Sequence, residues 1–146
     1  MLFLFVGDRG ETGTKQRDPA NLYCTGRVAP SQVPLYQAAA DVLVLPNVAE
    51  GSIHAYTSPL KLFEYMAAKR PIVAGELAVL REVLMHEDNC LMVPAANPAA
   101  LINAVERLLQ DEALAARLAA RAYAQVRQYT WEKRAQNILN FVMDQR

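Results

Sequence analysis

Five short apolar runs alternate with helical patterns along the first two thirds of the chain, and this rhythm constrains the fold most. The runs are Leu2–Val6, Leu22–Thr25, Val42–Leu45, Pro71–Ala74 and Leu91–Val93. Each run is continuously apolar, which is typical of parallel strands that are covered on both faces. Helices are predicted between the runs, around Gln32–Ala39, Pro59–Ala68 and Leu77–Leu84. The order predicts an α/β fold with a Rossmann-like, doubly wound, mostly parallel sheet of about five strands.

The last third of the chain has only helical patterns. Asn97 precedes Pro98 and predicts a helix that runs to about Leu109, while Asp111 and Thr130 predict the starts of two more. Apolar residues recur at helical spacing in both later helices and predict a buried face on each: Leu114, Leu118, Ala122 and Val126, then Trp131, Ala135, Ile138 and Val142. We therefore expect residues 1–146 to form a single domain with a helical C-terminal third.

Composition excludes several classes of protein. The 15 Lys and Arg balance the 15 Asp and Glu, which disfavours a nucleic-acid-binding protein. A hydrophobic fraction of 53% excludes general disorder. Cys24 and Cys90 are too few for a disulfide framework or a metal cluster and are predicted to be small buried residues. The chain has neither a signal-peptide pattern nor a membrane-spanning run, so a cytoplasmic location is predicted.

The stretch from Ser58 to Gly75 is the most informative for function. Ser58 suits a helix N-cap and Pro59 suits the first turn, so a helix is predicted to begin here with free backbone N–H groups. In an open α/β sheet, such a helix start lies near the carboxyl ends of the strands, where ligands bind. The helix start and Lys61 together favour an anion such as a phosphate.

Lys61 and Glu64 have two interpretations. At 100° per residue they fall on the same rim of the predicted helix, beside an apolar arc. They would then form either a surface ion pair or a ligand site, in which Lys61 contacts a phosphate and Glu64 accepts hydrogen bonds from hydroxyl groups. The spacing alone does not decide between the two. Arg117, Arg121 and Arg127 are predicted to form a solvated face.

Several motifs resemble those of the family 4 retaining glycosyltransferases, which have the GT-B fold, and they occur along the chain in the family's order. The stretch SPLKLFEYMAAKRPIVAG resembles the family's nucleotide-sugar-binding motif. The other matching segments are VGD at Val6–Asp8, TGRV at Thr25–Val28, LYQAAADVLVLP at Leu35–Pro46, REVL at Arg81–Leu84, NCLMVPAANPAAL at Asn89–Leu101 and YTWEKRA at Tyr129–Ala135. The chain resembles the C-terminal, donor-binding half of such an enzyme.

The resemblance implies a role for each matching position. Glu64 would hold the ribose hydroxyls of a nucleotide diphosphate sugar. The candidate catalytic residues are Glu64, Lys61 and Glu50. The other candidate donor-binding residues are Gly7, Asp8, Arg27, Val28, Ser58, Pro59 and Leu60. Gly7 and Gly26 have the alternative role of simple turn glycines. The resemblance also implies that no metal and no cofactor are used apart from the sugar donor. It further implies transfer of a hexose to a glycan, lipid or small acceptor.

The sequence departs from the family pattern in three respects, one of which, Asn89-Cys90 in place of a common Asn-Gly, affects only a turn. The family's first motif glutamate would fall at Tyr56, whereas Glu50 comes earlier in the chain, beside a loop in which His54 could contact a sugar. The first strand and helix of the domain, with their phosphate-clamping basic pair, and the N-terminal acceptor-binding domain are expected to be missing. We therefore expect weak or no activity from this chain alone, and a non-catalytic nucleotide-binding remnant or interaction module stays open.

The same resemblance predicts partners. The expected partners are a nucleotide sugar, the missing N-terminal domain and a membrane surface that the intact enzyme contacts peripherally. No nucleic-acid partner is expected. The missing strand would leave Leu2–Val6 beside a gap in the sheet. Self-association through that face is therefore predicted.

Overall fold

A computed structural model describes residues 1–8, 19–46 and 60–144 of the chain. Within these residues the chain divides into two compact units, Met1–Ala39 and Ala40–Arg146. Each unit is an α/β arrangement of parallel strands and helices, so the predicted α/β class is confirmed. The single sheet is a correction: the five strands of the described residues form two sheets. The single-domain organisation stays a prediction.

The first unit contains a two-stranded parallel sheet. Strand β1 (Phe3–Phe5) pairs with β2 (Leu22–Cys24), with Phe3 opposite Leu22. A 3-10 turn at Pro30–Gln32 then leads directly into helix α1 (Val33–Ala39). Because β1 and β2 run in parallel, their carboxyl ends lie at the same edge of this small sheet.

The second unit is built on a three-stranded parallel sheet with the order β3-β4-β5. Strands β3 (Leu43–Leu45), β4 (Ile72–Gly75) and β5 (Leu91–Val93) are connected by α2 (Leu60–Ala67) between the first two and α3 (Ala78–Arg81) between the last two. Helices α4 (Pro98–Gln110), α5 (Glu112–Val126) and α6 (Trp131–Met143) follow.

Both faces of the three-stranded sheet are covered, as its continuously apolar strands predict. Ile72 and Ala74 belong to one hydrophobic cluster, with residues of α2 and α3, whereas Val73 belongs to another, with residues of α4. This division follows from the two-residue period of a strand, which sends successive side chains to opposite faces. Helix α5 contributes to both clusters, through Leu118 on one side and Ala122 on the other.

Local signals at the helix starts are confirmed in the C-terminal third. The side chains of Asn97, Asp111 and Thr130 accept hydrogen bonds from backbone N–H groups in the first turns of α4, α5 and α6 respectively. The stripe on α5 is also confirmed, since Leu114, Leu118 and Ala122 are buried and Val126 is half-buried. No helix among the described residues is both long and apolar enough to cross a membrane.

Helix α3 is shorter than the predicted span Leu77–Leu84. It covers only Ala78–Arg81, because the Val83 N–H donates to the Leu80 carbonyl, three residues back, and the side chain of Asn89 binds the backbone just beyond. The Met85 N–H donates to Asn89 Oδ1 at 2.8 Å, and Asn89 Nδ2 donates to the Val83 carbonyl at 2.9 Å. These bonds replace the helical partners that a longer α3 would need. The other predicted elements differ from the observed ones by a residue or two at their ends; β4, for example, begins after Pro71, which has no N–H to donate.

Two predicted buried surfaces are wrong. The side chains of β1 are exposed, although the apolar run Leu2–Val6 predicts a strand covered on both faces. The predicted buried face of α6 is exposed as well; Trp131, at its start, is 75% exposed. An apolar pattern identifies the face that would favour burial, but it does not supply the surface that covers it.

The cysteines differ in burial. Both are free thiols; Cys90 is buried as predicted, whereas Cys24 is only half-buried. Burial and the nearby charge of Asp88 raise the pKa of Cys90 to about 12. Its thiol is therefore protonated, and unreactive as a nucleophile, at neutral pH.

Candidate functional site

Helix α2 begins at the edge of the three-stranded sheet where ligands bind in open α/β folds. Strands β3 and β4 are parallel neighbours, and α2 connects the carboxyl end of the first to the amino end of the second. The start of α2 therefore lies at the carboxyl-end edge of the sheet, which is the edge that the sequence predicts. The first backbone N–H groups of such a helix have no partner within the helix.

Opposite faces of α2 have different environments. Leu62 and Met66 are fully buried in the core and fix the helix on the sheet. Lys61 and Glu64 are exposed, and so is Leu60, at 72%. The fold is therefore held by the buried face of α2, while the charged face is accessible to a ligand.

The charge of Glu64 affects a neighbouring phenol. Burial raises the pKa of Tyr65, and the Glu64 carboxylate raises it further. Tyr65 therefore keeps its proton at neutral pH and can donate a hydrogen bond. Phe63, on the same helix, packs against Tyr129 with ring centroids 5.2 Å apart. Phe63 and Tyr65 both pack against the hydrophobic core, so they help to hold α2 in place on both sides of Glu64.

Several predicted site residues lie outside the described part of the chain. They are Glu50, Ser58 and Pro59, together with the loop residues His54 and Tyr56. Their roles stay predictions.

The predicted residues of the first unit meet where its two strands end. Gly7 follows β1, Gly26 follows β2, and the two form an isolated β-bridge. Their φ angles are +139° and +67°, values that side-chain-bearing residues rarely adopt. The Thr25 hydroxyl accepts a hydrogen bond from the Gly7 N–H at 3.4 Å and donates one to the Gly26 carbonyl at 2.8 Å. Glycine is thus required here by the backbone, as the turn interpretation predicts.

Two charged residues flank this glycine pair. Arg27 Nε lies 3.4 Å from Asp8 Oδ2, and both side chains are largely exposed. Val28, the next residue, is half-buried. The structure therefore brings four predicted donor-binding residues, Gly7, Asp8, Arg27 and Val28, to one edge of the first unit.

One ion pair at the carboxyl-end edge of the second unit was not predicted. Glu76 directly follows β4, and its backbone N–H donates to the Val93 carbonyl at the end of β5. The Glu76 carboxylate lies 2.6 Å from the Arg81 guanidinium. In the sequence, a Glu and an Arg five residues apart do not indicate that their side chains are in contact, because the contact depends on the turn after β4.

Charged residues at the opposite edge of the second unit have a structural role. The turn 85–90 precedes β5 and lies at its amino end. Arg107 of α4 binds the Glu87 carboxylate at 2.7 Å, Arg117 of α5 donates to the Glu87 carbonyl at 2.9 Å, and Arg121 of α5 binds Asp88 at 3.1 Å. Arg117 and Arg121 are exposed as predicted; they attach α5 to the turn 85–90, and Arg107 attaches α4.

Comparison with known proteins decides the family. The family model of the glycosyl transferases group 1 matches residues 1–111. The chain belongs to the group 1 glycosyltransferases. It is 36% identical over 101 residues to the phosphatidyl-myo-inositol mannosyltransferase of Mycobacterium leprae, an alignment that covers 69% of this chain and 26% of that protein. The chain thus spans about a quarter of the length of this group 1 relative.

Solved structures support the same fold. The HepE protein of Anabaena, in complex with UDP-glucose, superposes with a TM-score of 0.71 and 20% identity, over 87% of this chain and 36% of that one. The C-terminal domain of the group 1 family protein LpcC from Francisella tularensis superposes with a TM-score of 0.63 and 21% identity, over 74% of this chain and 53% of that one. The expected GT-B resemblance, to a C-terminal domain, is therefore confirmed.

Proposed function

We propose that this chain binds the nucleotide diphosphate of a sugar donor and forms the donor-binding half of a retaining glycosyltransferase. The observation that carries the proposal is the placement of α2. Its start lies at the carboxyl-end edge of the second unit, and Lys61 and Glu64 are exposed on a helix whose opposite face is buried. The bound UDP-glucose of HepE supports a nucleotide sugar as the ligand.

Each side chain has a chemical task in this proposal. The start of α2 and the ammonium group of Lys61 stabilise the negative charge of the diphosphate, which increases as the sugar bond breaks. Glu64 accepts hydrogen bonds from the two ribose hydroxyls. Gly7, Asp8, Arg27 and Val28, in the first unit, stay candidate donor-binding residues. Glu50, Ser58 and Pro59 complete the proposed set of donor contacts.

The transfer step needs an acceptor, which we propose is bound by a further domain of the intact enzyme. The product would be a hexose attached to a glycan, lipid or small acceptor with retention of configuration. The mannosyltransferase relative acts on a phosphatidyl-inositol, as its name states. A lipid acceptor and peripheral contact with a membrane surface are consistent with that relative.

Calorimetry tests the proposal directly. We expect weak binding of a nucleoside diphosphate by this chain, measured with UDP, GDP and ADP in turn, each with and without EDTA. The affinity should not change with EDTA, because Lys61 and the start of α2 supply the positive charge. The absence of heat for all three nucleotides at millimolar concentration would contradict the proposal.

A further inference from the structure

The ion pair of Glu76 and Arg81 lies at the same edge of the sheet as the start of α2. Glu76 is the first residue after β4, and its backbone is bonded to the last residue of β5. Although Arg81 itself is the last residue of α3, its guanidinium reaches back to within 2.6 Å of the Glu76 carboxylate. The guanidinium is therefore held beside the carboxyl ends of two strands.

The backbone that carries Arg81 is fixed by the core. Leu77 and Leu80, on either side of the first turn of α3, are buried, and so is Leu84 beyond it. The side chain of Arg81 is nevertheless 62% exposed. A guanidinium has five N–H donors in a planar fork, so a single carboxylate contact leaves donors for a second anion.

We propose that Arg81, held by Glu76, is a further donor-binding residue that contacts the diphosphate. This inference rests on the proposed function, because it places a second positive charge at the edge where α2 begins. A guanidinium fork matches the oxygen atoms of a phosphate better than it matches the hydroxyl groups of a sugar. Glu76 then acts as a positioning residue, which aims the guanidinium and moderates its charge.

Three other arginines of the second unit do not compete for this role. Arg107, Arg117 and Arg121 bind the turn 85–90, at the opposite edge of the sheet. Arg107 offers a matched control for Arg81, because it is also half exposed and also paired with a glutamate, at 2.7 Å. The two arginines differ chiefly in the edge at which they lie.

The experiment uses the nucleoside diphosphate that gives the largest heat and the corresponding monophosphate, and it measures their affinities for four variants, one of them the control Arg107→Gln. Arg81→Gln should weaken binding of the diphosphate about 10- to 100-fold, the usual effect of losing a charged hydrogen bond, and weaken the monophosphate much less. Arg81→Lys should restore part of the loss. Glu76→Gln should tighten diphosphate binding, because the amide still accepts from Arg81 but no longer repels the phosphates.

The opposite signs of the two effects distinguish a ligand contact from a structural ion pair. If the pair only stabilises the turn after β4, Arg81→Gln and Glu76→Gln will change binding and Tm in the same direction. Equal loss in Arg107→Gln, or equal loss for monophosphate and diphosphate, would also overturn the assignment of Arg81. Normal binding by the wild type with no effect of Arg81→Gln refutes this inference alone, whereas the absence of wild-type binding refutes the proposed function with it.

Discussion

Glu64 is exposed on a helix whose opposite face is buried, so its replacement should affect a ligand more than the fold. We expect Glu64→Gln to weaken nucleoside diphosphate binding about 10- to 100-fold, since a charged acceptor of two hydroxyl hydrogen bonds contributes about 1.5–3 kcal/mol. The Tm should stay nearly unchanged. Calorimetry and thermal unfolding measure the two effects separately.

Glu106→Gln is the matched control, because Glu106 is an exposed glutamate on α4. It should leave binding unchanged. If Glu64→Gln binds as tightly as the wild type, the exposed carboxylate has only a surface role and the ion-pair interpretation of Lys61 and Glu64 is correct.

Asn89 is the opposite case, a polar side chain that the fold buries completely. It is 0% exposed and bonds to the backbone of Val83 and Met85 and to Gln125. Asn89→Ala leaves the Met85 N–H and the Val83 carbonyl without this partner, so we expect a loss of about 1–3 kcal/mol in the free energy of unfolding. Urea unfolding measures it. The exposed Asn103 is the control, and a loss under 1 kcal/mol for Asn89→Ala would contradict the prediction.

At the scale of elements, the turn 85–90 should make stability depend on pH. The hydrogen bond and charge of Arg107 lower the pKa of Glu87 below its ordinary value of about 4.3. Because the unfolded chain then binds the proton more tightly, this contribution is fully present above that value. It is lost as pH falls through the lower, folded pKa.

We therefore expect Arg107→Ala to reduce the stability difference between pH 6 and pH 3. Urea unfolding at a series of pH values measures the difference, with Arg134→Ala, an exposed arginine of α6, as the control. An unchanged pH dependence in Arg107→Ala would show that the contact with Glu87 does not contribute.

The helices show which elements a sequence can predict. The starts of α4, α5 and α6 depend on a capping residue and the next three positions, so Asn97, Asp111 and Thr130 are sufficient to predict them. The backbone just beyond α3 is harder to predict, because Asn89, across the turn 85–90, binds its Val83 carbonyl and Met85 N–H. No local pattern around Leu84 signals these contacts.

The site residues likewise differ in whether the sequence alone can place them. The carboxyl-end position of α2 follows from the β-α-β order, so Lys61 and Glu64 could be placed from sequence. The pair of Glu76 and Arg81 could not, because it forms only when the turn after β4 brings the two side chains together. The roles of Glu50, Ser58 and Pro59 stay predictions, since these residues lie outside the described part of the chain.

At the scale of the whole molecule, exposed apolar strand residues favour self-association. Leu4 of β1 is 45% exposed, between two phenylalanines that are also exposed. We expect the chain to associate with a second copy through the face near Leu2–Val6, since burial of such a surface is favourable. Sedimentation over a wide concentration range measures the association.

A lysine on β1 should abolish this association. Leu4→Lys introduces a charge into the proposed contact, whereas Ile138→Lys places the same charge on the exposed face of α6. A monomer at every concentration would contradict the prediction. Association that Ile138→Lys abolishes and Leu4→Lys does not would assign it to α6 instead.

The arginine contacts of the turn 85–90 have a consequence for how this domain can diverge. The residues that fasten α4 and α5 lie at the amino end of β5, and the proposed ligand residues of the second unit lie at the carboxyl ends of the strands. Substitutions at Lys61, Glu64 or Arg81 leave the fastening contacts intact. Under the proposed function, the donor contacts can therefore change without loss of the contacts that attach α4 and α5 to this turn.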